Sequence, residues 1–255
     1  MIKYIKDFIL KENIELGSMY SLLKLSPADG IMPDMIPGQF VQVDIKGSKN
    51  TFLRRPISIN FVDKEMNLLW LLVRRAGEGT STLISAPAGE AINLILPLGN
   101  GFSLDNGKML LIGGGVGVAP LLYLGKILSE KDSNVSFLLG ARSKQDLLEL
   151  EEFKKYGEVF VSTEDGSMEE KGFVTTHSIL NDKFDLIQCC GPLPMMKAVA
   201  KIARLHNTQC EVSLENVMAC GIGACLCCVE DTTEGNVCVC KEGPVLNIKK
   251  LKWQL

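Results

Sequence analysis

The chain has 255 residues, 46% of them apolar and 22% charged, with a formal net charge of −3. That balance is ordinary for a globular protein and leaves no basic footprint for nucleic acid. No apolar run approaches the ~20 residues of a membrane-spanning helix, and the opening MIKYIKDFILKEN carries charge in every turn, so neither signal nor anchor is expected and the location expected is cytoplasmic.

The length suits two domains and a small module, since domains run roughly 100–150 residues. Residues 1–103 are strand-like and rich in turns. Expected strands cover 39–45, 57–61, 67–74 and 91–96, each bounded by Gly, Pro, Asn or Asp, and several short strands at this spacing predict an antiparallel β-barrel. From 104 to 208 strands alternate with helices. Strands are expected at 108–112, 135–139, 159–162 and 186–190, with helices at 118–131, 145–156 and 194–205. That rhythm predicts a Rossmann-like α/β domain with a parallel sheet. Residues 209–255 form a third, cysteine-bearing module.

None of the nine cysteines precedes residue 189. Cys220-x4-Cys225-x2-Cys228, followed by Cys240 after an eleven-residue gap, is the plant-type [2Fe–2S] spacing. Gly221, Ile222, Gly223 and Ala224 lie between the first two, and small residues let backbone N–H groups approach cluster sulfurs. Zinc also takes four cysteines, but usually from two short knuckles. Disulfides are disfavoured by the odd count and by the absence of a signal. Cys227 and Cys238 adjoin the ligand positions and leave a swap open, while Cys189, Cys190 and Cys210 read as buried small hydrophobes.

Gly113-Gly114-Gly115-Val116-Gly117-Val118-Ala119-Pro120 follows a strand and opens a helix, a context that suits a dinucleotide pyrophosphate. A strict G-x-G-x-x-G would need glycine at Val118, and such a turn can simply pack helix on strand. In the barrel, Arg54-Arg55-Pro56-Ile57-Ser58 can present an arginine fork to a pyrophosphate, and the turn Gly77–Thr80 offers a second phosphate-facing segment. The plainer reading of both is a hairpin with solvated arginines. After the third strand of the α/β domain, Glu164 or Asp165 would repel a 2′-phosphate and accept from a ribose hydroxyl, which predicts NAD(H) over NADP(H).

Together these segments resemble the ferredoxin–NADP reductase superfamily. PGQF at 37–40, RRPIS at 54–58, GEGT at 77–80, LPLGNGF at 96–102, GGGVGVAP, GAR at 140–142, EDGS at 164–167, CGPLPMM and MACGIGACLCC narrow the resemblance to the electron-transfer subunit of type B (NAD-dependent) dihydroorotate dehydrogenase. The resemblance implies FAD held at Arg55, Pro56, Ile57, Ser58, Leu72, Val73, Arg74, Gly79 and Thr80. It implies a [2Fe–2S] cluster on Cys220, Cys225, Cys228 and Cys240, and NAD against Gly113, Gly114, Gly115, Gly117, Glu164 and Cys190, the last near the nicotinamide. It further implies a relay in pyrimidine biosynthesis. A separate FMN-containing catalytic subunit oxidises dihydroorotate, and electrons pass through the cluster and FAD to NAD+. Two copies of each chain would form a heterotetramer. No residue here need serve as general acid or base, and His177 and His206 fall outside the motifs. Two other readings fit parts of the pattern. One is a subunit of an NADH-dependent ferredoxin–NADP reductase or of a sulfhydrogenase; the other is a zinc-stabilised nucleotide-binding regulator without redox chemistry.

Overall fold

The structure is a computed structural model that describes residues 2–253. Seven strands build the first sheet: β1 (Tyr4–Leu16), β2 (Tyr20–Pro27), β3 (Phe40–Val43), β4 (Arg55–Ser58), β5 (Phe61–Asp63), β6 (Leu68–Arg74) and β7 (Ala91–Leu98). They run antiparallel in the order β4-β3-β7-β1-β2-β6-β5, and a short helix, α1 (Glu78–Ile84), precedes β7.

The expected strand at 57–61 is two strands on opposite edges of this sheet. The chain crosses at Ile59 and Asn60, whose N–H groups donate to Gln39 O and Trp70 O at 2.9 and 3.0 Å. That crossing carries the chain from one edge of the sheet to the other and curls the sheet into a barrel. Phe8, Leu10, Leu23, Leu25, Val41, Val43, Leu69 and Leu71 fill the interior. β1 and β2 fall outside the spans expected from sequence. In β1 the pairing register shifts between Leu10 and Glu12, so the alternation that marks a strand slips midway.

The second sheet holds β8 (Lys108–Gly114), β9 (Asn134–Ala141), β10 (Glu158–Thr163), β11 (Glu170–Lys171), β12 (Leu186–Cys190) and β13 (Gln209–Ser213). All pair in parallel, in the order β11-β10-β9-β8-β12-β13. Helices α2 (Ala119–Ser129), α3 (Leu150–Phe153) and α4 (Leu193–Leu205) lie among these strands. The expected helix at 145–156 shrinks to α3 and a 3-10 turn over Lys144–Asp146. Glu149 interrupts it at φ 54°, its carboxylate turned inward to accept from Asn60 Nδ2 at 2.9 Å. A contact between domains overrides local helix preference there.

The last residues form the hairpin β14 (Val229–Thr232) and β15 (Gly235–Cys238), the single turn α5 (Val239–Glu242) and β16 (Val245–Asn247). β16 pairs antiparallel with β13 and becomes the outer strand of the second sheet. β13 itself, at the head of the module drawn from sequence, is hydrogen-bonded into the parallel sheet beside β12. One apolar cluster joins Phe40 and Leu98 of the barrel, Leu110, Ile112 and Val212 of the parallel sheet, and Val239, Cys240 and Leu246 of the module.

Packing under α2 is tight enough to test. A methyl group on Gly125 would enter the ring of Phe137, which is held edge-on to Phe153 with ring centroids 5.0 Å apart. Alanine favours a helix by about 1 kcal/mol over glycine, whereas overpacking costs typically about 1–3 kcal/mol. Gly125→Ala should therefore lower the Tm, and adding Phe137→Leu should recover part of the loss. A Tm raised by the single change would contradict this packing.

Candidate functional site

The cysteine loop is shaped by backbone that favours glycine. Gly221 and Gly223 sit at φ 70° and 83°, and Leu226 adopts φ 58°. This winding turns N–H groups onto sulfur. Ile222, Ala224 and Cys225 donate to Cys220 Sγ at 3.5, 3.3 and 3.4 Å. Gly223 donates to Cys240 Sγ at 3.1 Å, and Cys240 N donates to Cys228 Sγ at 3.3 Å. The loop and the later segment are thus laced together through their sulfurs.

These contacts set the thiol chemistry. Burial alone would raise the Cys220 thiol, but hydrogen bonds from Ile222 and Cys225, with a further one from Ala224, outweigh it and lower it to about 6. Burial and the shared hydrogen bond with Cys228 push Cys240 upward, and a bound cation would reverse that balance. Among the described residues no three histidines, cysteines or carboxylates converge on a single ion position. Side-chain hydrogen bonds link the thiols in two pairs, Cys220 with Cys225 and Cys228 with Cys240. Two pairs fit a two-iron centre, in which each iron takes two thiolates. Cys227 points to solvent, whereas Cys228 is buried.

In the barrel, one arginine is free and its neighbour is not. Arg54 donates to Asn93 Oδ1 at 2.6 Å and to Asn93 O at 3.1 Å. Arg55 keeps a buried Nε without a hydrogen-bond partner, and a Cβ on Gly79 would lie 3.1 Å from that nitrogen. The unpaired donor beside a glycine suits close approach of a phosphate. Thr80 Oγ1 is occupied, accepting from Ala76 N at 2.8 Å and Gly77 N at 3.1 Å, so its hydroxyl closes the turn. By strand pairing, Pro56 and Ser58 share the face of Gln42 and Phe40, while Ile57 and Arg55 share that of Val41 and Val43. Leu72 and Val73 are both buried, Val73 on the interior face of β6 with Leu69 and Leu71, and Leu72 on the opposite face.

Arg74 leaves the barrel and lines a cleft of about 690 Å³ together with Gly114, Gly115, Arg142, Glu164 and Phe173. The cleft lies at the carboxyl ends of β8, β9 and β10, next to the point where strand order reverses between β8 and β12. Open α/β sheets bind ligands at such a switch point. Gly115, at φ 55°, opens onto free space. Gly113 and Gly117 do not line the cleft. A Cβ on Gly113 would meet Val118 and Leu121, and one on Gly117 would lie 2.6 Å from Cys190 O. Those two glycines let α2 and its turn pack on the strands. Cys190 is buried at the end of β12, and burial together with the Glu215 carboxylate pushes its thiol up. Asp165 accepts from Ser167 N at 2.9 Å and serves its own turn, so of the two it is Glu164 that lines the cleft, together with Asp146. Phe173 and Gln42 escaped the sequence reading. Phe173 sits in an irregular segment, and Gln42 reads as the solvent-facing residue of an alternating strand.

An antiparallel barrel, a parallel sheet with a cleft at its switch point and a sulfur-rich loop define an oxidoreductase of the ferredoxin–NADP reductase type. Residues 215–252 match the iron-sulfur cluster binding domain of dihydroorotate dehydrogenase B, and residues 111–201 match the oxidoreductase NAD-binding domain. The dihydroorotate dehydrogenase B (NAD(+)) electron transfer subunit of Fusobacterium nucleatum is 37% identical over 252 residues, covering 94% of this chain and 96% of that one. Its counterpart in Shouchella clausii is 39% identical over 223 residues, covering 83% and 85%. The chain belongs to the family of dihydroorotate dehydrogenase B electron transfer subunits. Among solved structures, an NADH-dependent reduced ferredoxin-NADP oxidoreductase superposes with a TM-score of 0.87 at 27% identity, covering 96% of this chain and 90% of that chain. The FAD/NAD-binding domain of a Vibrio cholerae nitric oxide dioxygenase shares the fold, with a TM-score of 0.71 at 20% identity over 81% and 98% of the two chains. Family membership sets aside the zinc-stabilised regulator.

The ligand set is open to direct test. Serine at Cys220, Cys225, Cys228 or Cys240 should abolish or cripple the visible and EPR signature of the cluster. Serine at Cys227, Cys238 or Cys210 should leave iron content near that of the wild type. Loss of iron in Cys227→Ser with retention in Cys228→Ser would reverse the assignment.

Proposed function

We propose that this chain carries electrons from a dihydroorotate-oxidising catalytic subunit to NAD+ through a [2Fe–2S] cluster and FAD, in the synthesis of pyrimidines. The observation that carries this reading is the seating of the cysteine loop on the barrel wall. A Cβ on Gly221 would lie 2.7 Å from Gln42 Cγ, and Gln42 pairs directly with Pro56 of the flavin motif. Cluster loop and flavin strand are therefore one side chain apart.

The chain reads as three units, 1–103 for FAD, 104–208 for NAD and 209–255 for the cluster. Arg55 and Gly79 would grip the flavin pyrophosphate, with Pro56, Ile57, Ser58 and the backbone of Leu72, Val73 and Thr80 along the ring system. Cys220, Cys225, Cys228 and Cys240 would hold the cluster. When bound, the flavin exchanges a hydride with nicotinamide and single electrons with an iron–sulfur centre. The residues of this chain orient that exchange and move no proton of their own. Gly114, Gly115 and Glu164 would seat the dinucleotide, with Arg74 of the flavin set lining the same cleft and Gly113 and Gly117 keeping the turn against the sheet beside Cys190.

The catalytic partner is proposed to carry FMN and to assemble as two copies of each chain in the cytoplasm. No helix of the described residues is long and apolar enough to cross a membrane. Val217, Ile222 and Leu226 stand around the cluster loop with 78%, 46% and 64% of their surface exposed. An apolar patch beside the cluster suits a dry contact that shortens the path of an electron.

Two outcomes follow. Glu164 should favour NADH over NADPH, and Glu164→Ala should narrow the ratio of kcat/KM for the two, because a carboxylate opposes the 2′-phosphate while Arg142 beside it attracts one. Equal values in the wild type would defeat the assignment. The pure chain mixed with dihydroorotate and NAD+ should form no NADH until a catalytic subunit is added. NADH formed by the chain alone, or failure of the two proteins to co-elute and couple, would contradict the division of labour.

A further inference from the structure

Gln42 occupies a position that packing alone does not explain. It lies in β3 between Val41 and Val43, whose side chains enter the barrel core, so by strand alternation Gln42 faces outward with Phe40. On most barrel walls that face meets water, yet Gln42 has no exposed surface. The cysteine loop covers it. A Cβ on Gly221 would lie 2.7 Å from its Cγ and 2.8 Å from its Nε2, so glycine at 221 is what lets the loop approach the carboxamide. Both polar atoms, Nε2 and Oε1, are buried without a hydrogen-bond partner. Leaving a buried amide unpaired is costly, and proteins seldom keep one without a use. The main chain of Gln42 pairs with Pro56 on one side and Ile95 on the other.

We propose that Gln42 is a positioning residue for the iron–sulfur centre, its Nε2 donating to a sulfur beside Cys220 and thereby raising the potential of the cluster. This rests on the functional reading above, in which the four cysteines hold two irons. The rest of the loop offers backbone N–H groups to Cys220 Sγ and Cys240 Sγ. Gln42 adds a donor from the barrel, the side on which the flavin motif lies. A donor stabilises the more negative, reduced state of a cluster, so removing it makes reduction harder. The same contact ties the barrel wall to the loop and holds the two redox sites in fixed register.

The test is a redox titration of the full chain carrying iron and flavin, followed by EPR for the cluster and by visible absorption for the flavin. Gln42→Leu and Gln42→Met remove the donor with different side-chain shapes, and the second keeps the original length should leucine impair loading. Both variants should retain wild-type iron and flavin content and an unchanged flavin midpoint. The reduction equilibrium of their cluster should weaken about tenfold, or about 59 mV for one electron. An unchanged cluster midpoint in a loaded variant overturns the inference alone. So does a shift confined to the flavin, or shifts of opposite sign in the two variants. A wild-type chain that holds no two-iron cluster overturns the functional reading and this inference with it.

Discussion

The cysteine module has no core of its own, and its shape depends on a seam between two larger sheets. β16 adds to β13 at the edge of the parallel sheet, while Asn100 of the barrel binds the module from the other side, its N donating to Gly243 O at 2.6 Å and its Nδ2 to Glu242 O at 3.0 Å. Leu214 N donates to Pro244 O at 2.9 Å and fixes the return of the chain. Phe40, Leu98, Val212, Val239 and Cys240 then share one apolar cluster. A segment of this size buries too little surface to fold alone, so borrowed surface on both sides is the physical condition for an ordered loop. Cys228 and Cys240 are buried because that seam buries them.

From this constraint the functional layout follows. The seam brings the sulfur loop against the outer wall of the barrel at β3, and β3 pairs with β4, which carries the residues proposed to hold the flavin. The crossing at Ile59 and Asn60 that curls the barrel also links it to the α/β domain. Asn60 Nδ2 donates to Ala119 O at 3.2 Å and to Glu149 at 2.9 Å, and Tyr123 N donates to Asn60 O at 3.1 Å. The Glu149 carboxyl is buried there, and burial raises it to about 7. Arg74 at the end of β6 can reach the cleft because the two domains are locked in this way. Cysteine loop, barrel wall and cleft are thereby joined through direct contacts.

Much of this was legible in the chain itself, for reasons that differ by residue. The iron–sulfur segment is legible because the spacing of Cys220, Cys225 and Cys228 marks it. Three thiolates must come from one tight loop, and Gly221 and Gly223 are needed to wind it. The parallel sheet is legible because its buried strands are continuous apolar runs. β1 is not, since its register slips between Leu10 and Glu12. The helix expected at 145–156 fails because Glu149 answers to Asn60, a residue 89 positions away in sequence. The glycine-rich turn hides a division of labour: Gly115 opens to the cleft, while Gly113 and Gly117 serve packing, and nothing in the string of letters separates them. Gln42 is invisible for the same reason, because only the fold shows that its outward face is covered.

The central claim is that cluster and flavin are in electronic contact within one chain. Anaerobic addition of NADH to the loaded full chain, read by visible absorption and low-temperature EPR on the same samples, tests it most directly. The account predicts that bleaching of the flavin is followed by the signal of a reduced two-iron cluster, at a rate independent of protein concentration. A cluster signal whose rate rises in proportion to protein concentration, or a bleached flavin beside a cluster that stays oxidised even when excess NADH poises the potential well below the cluster midpoint, would contradict it.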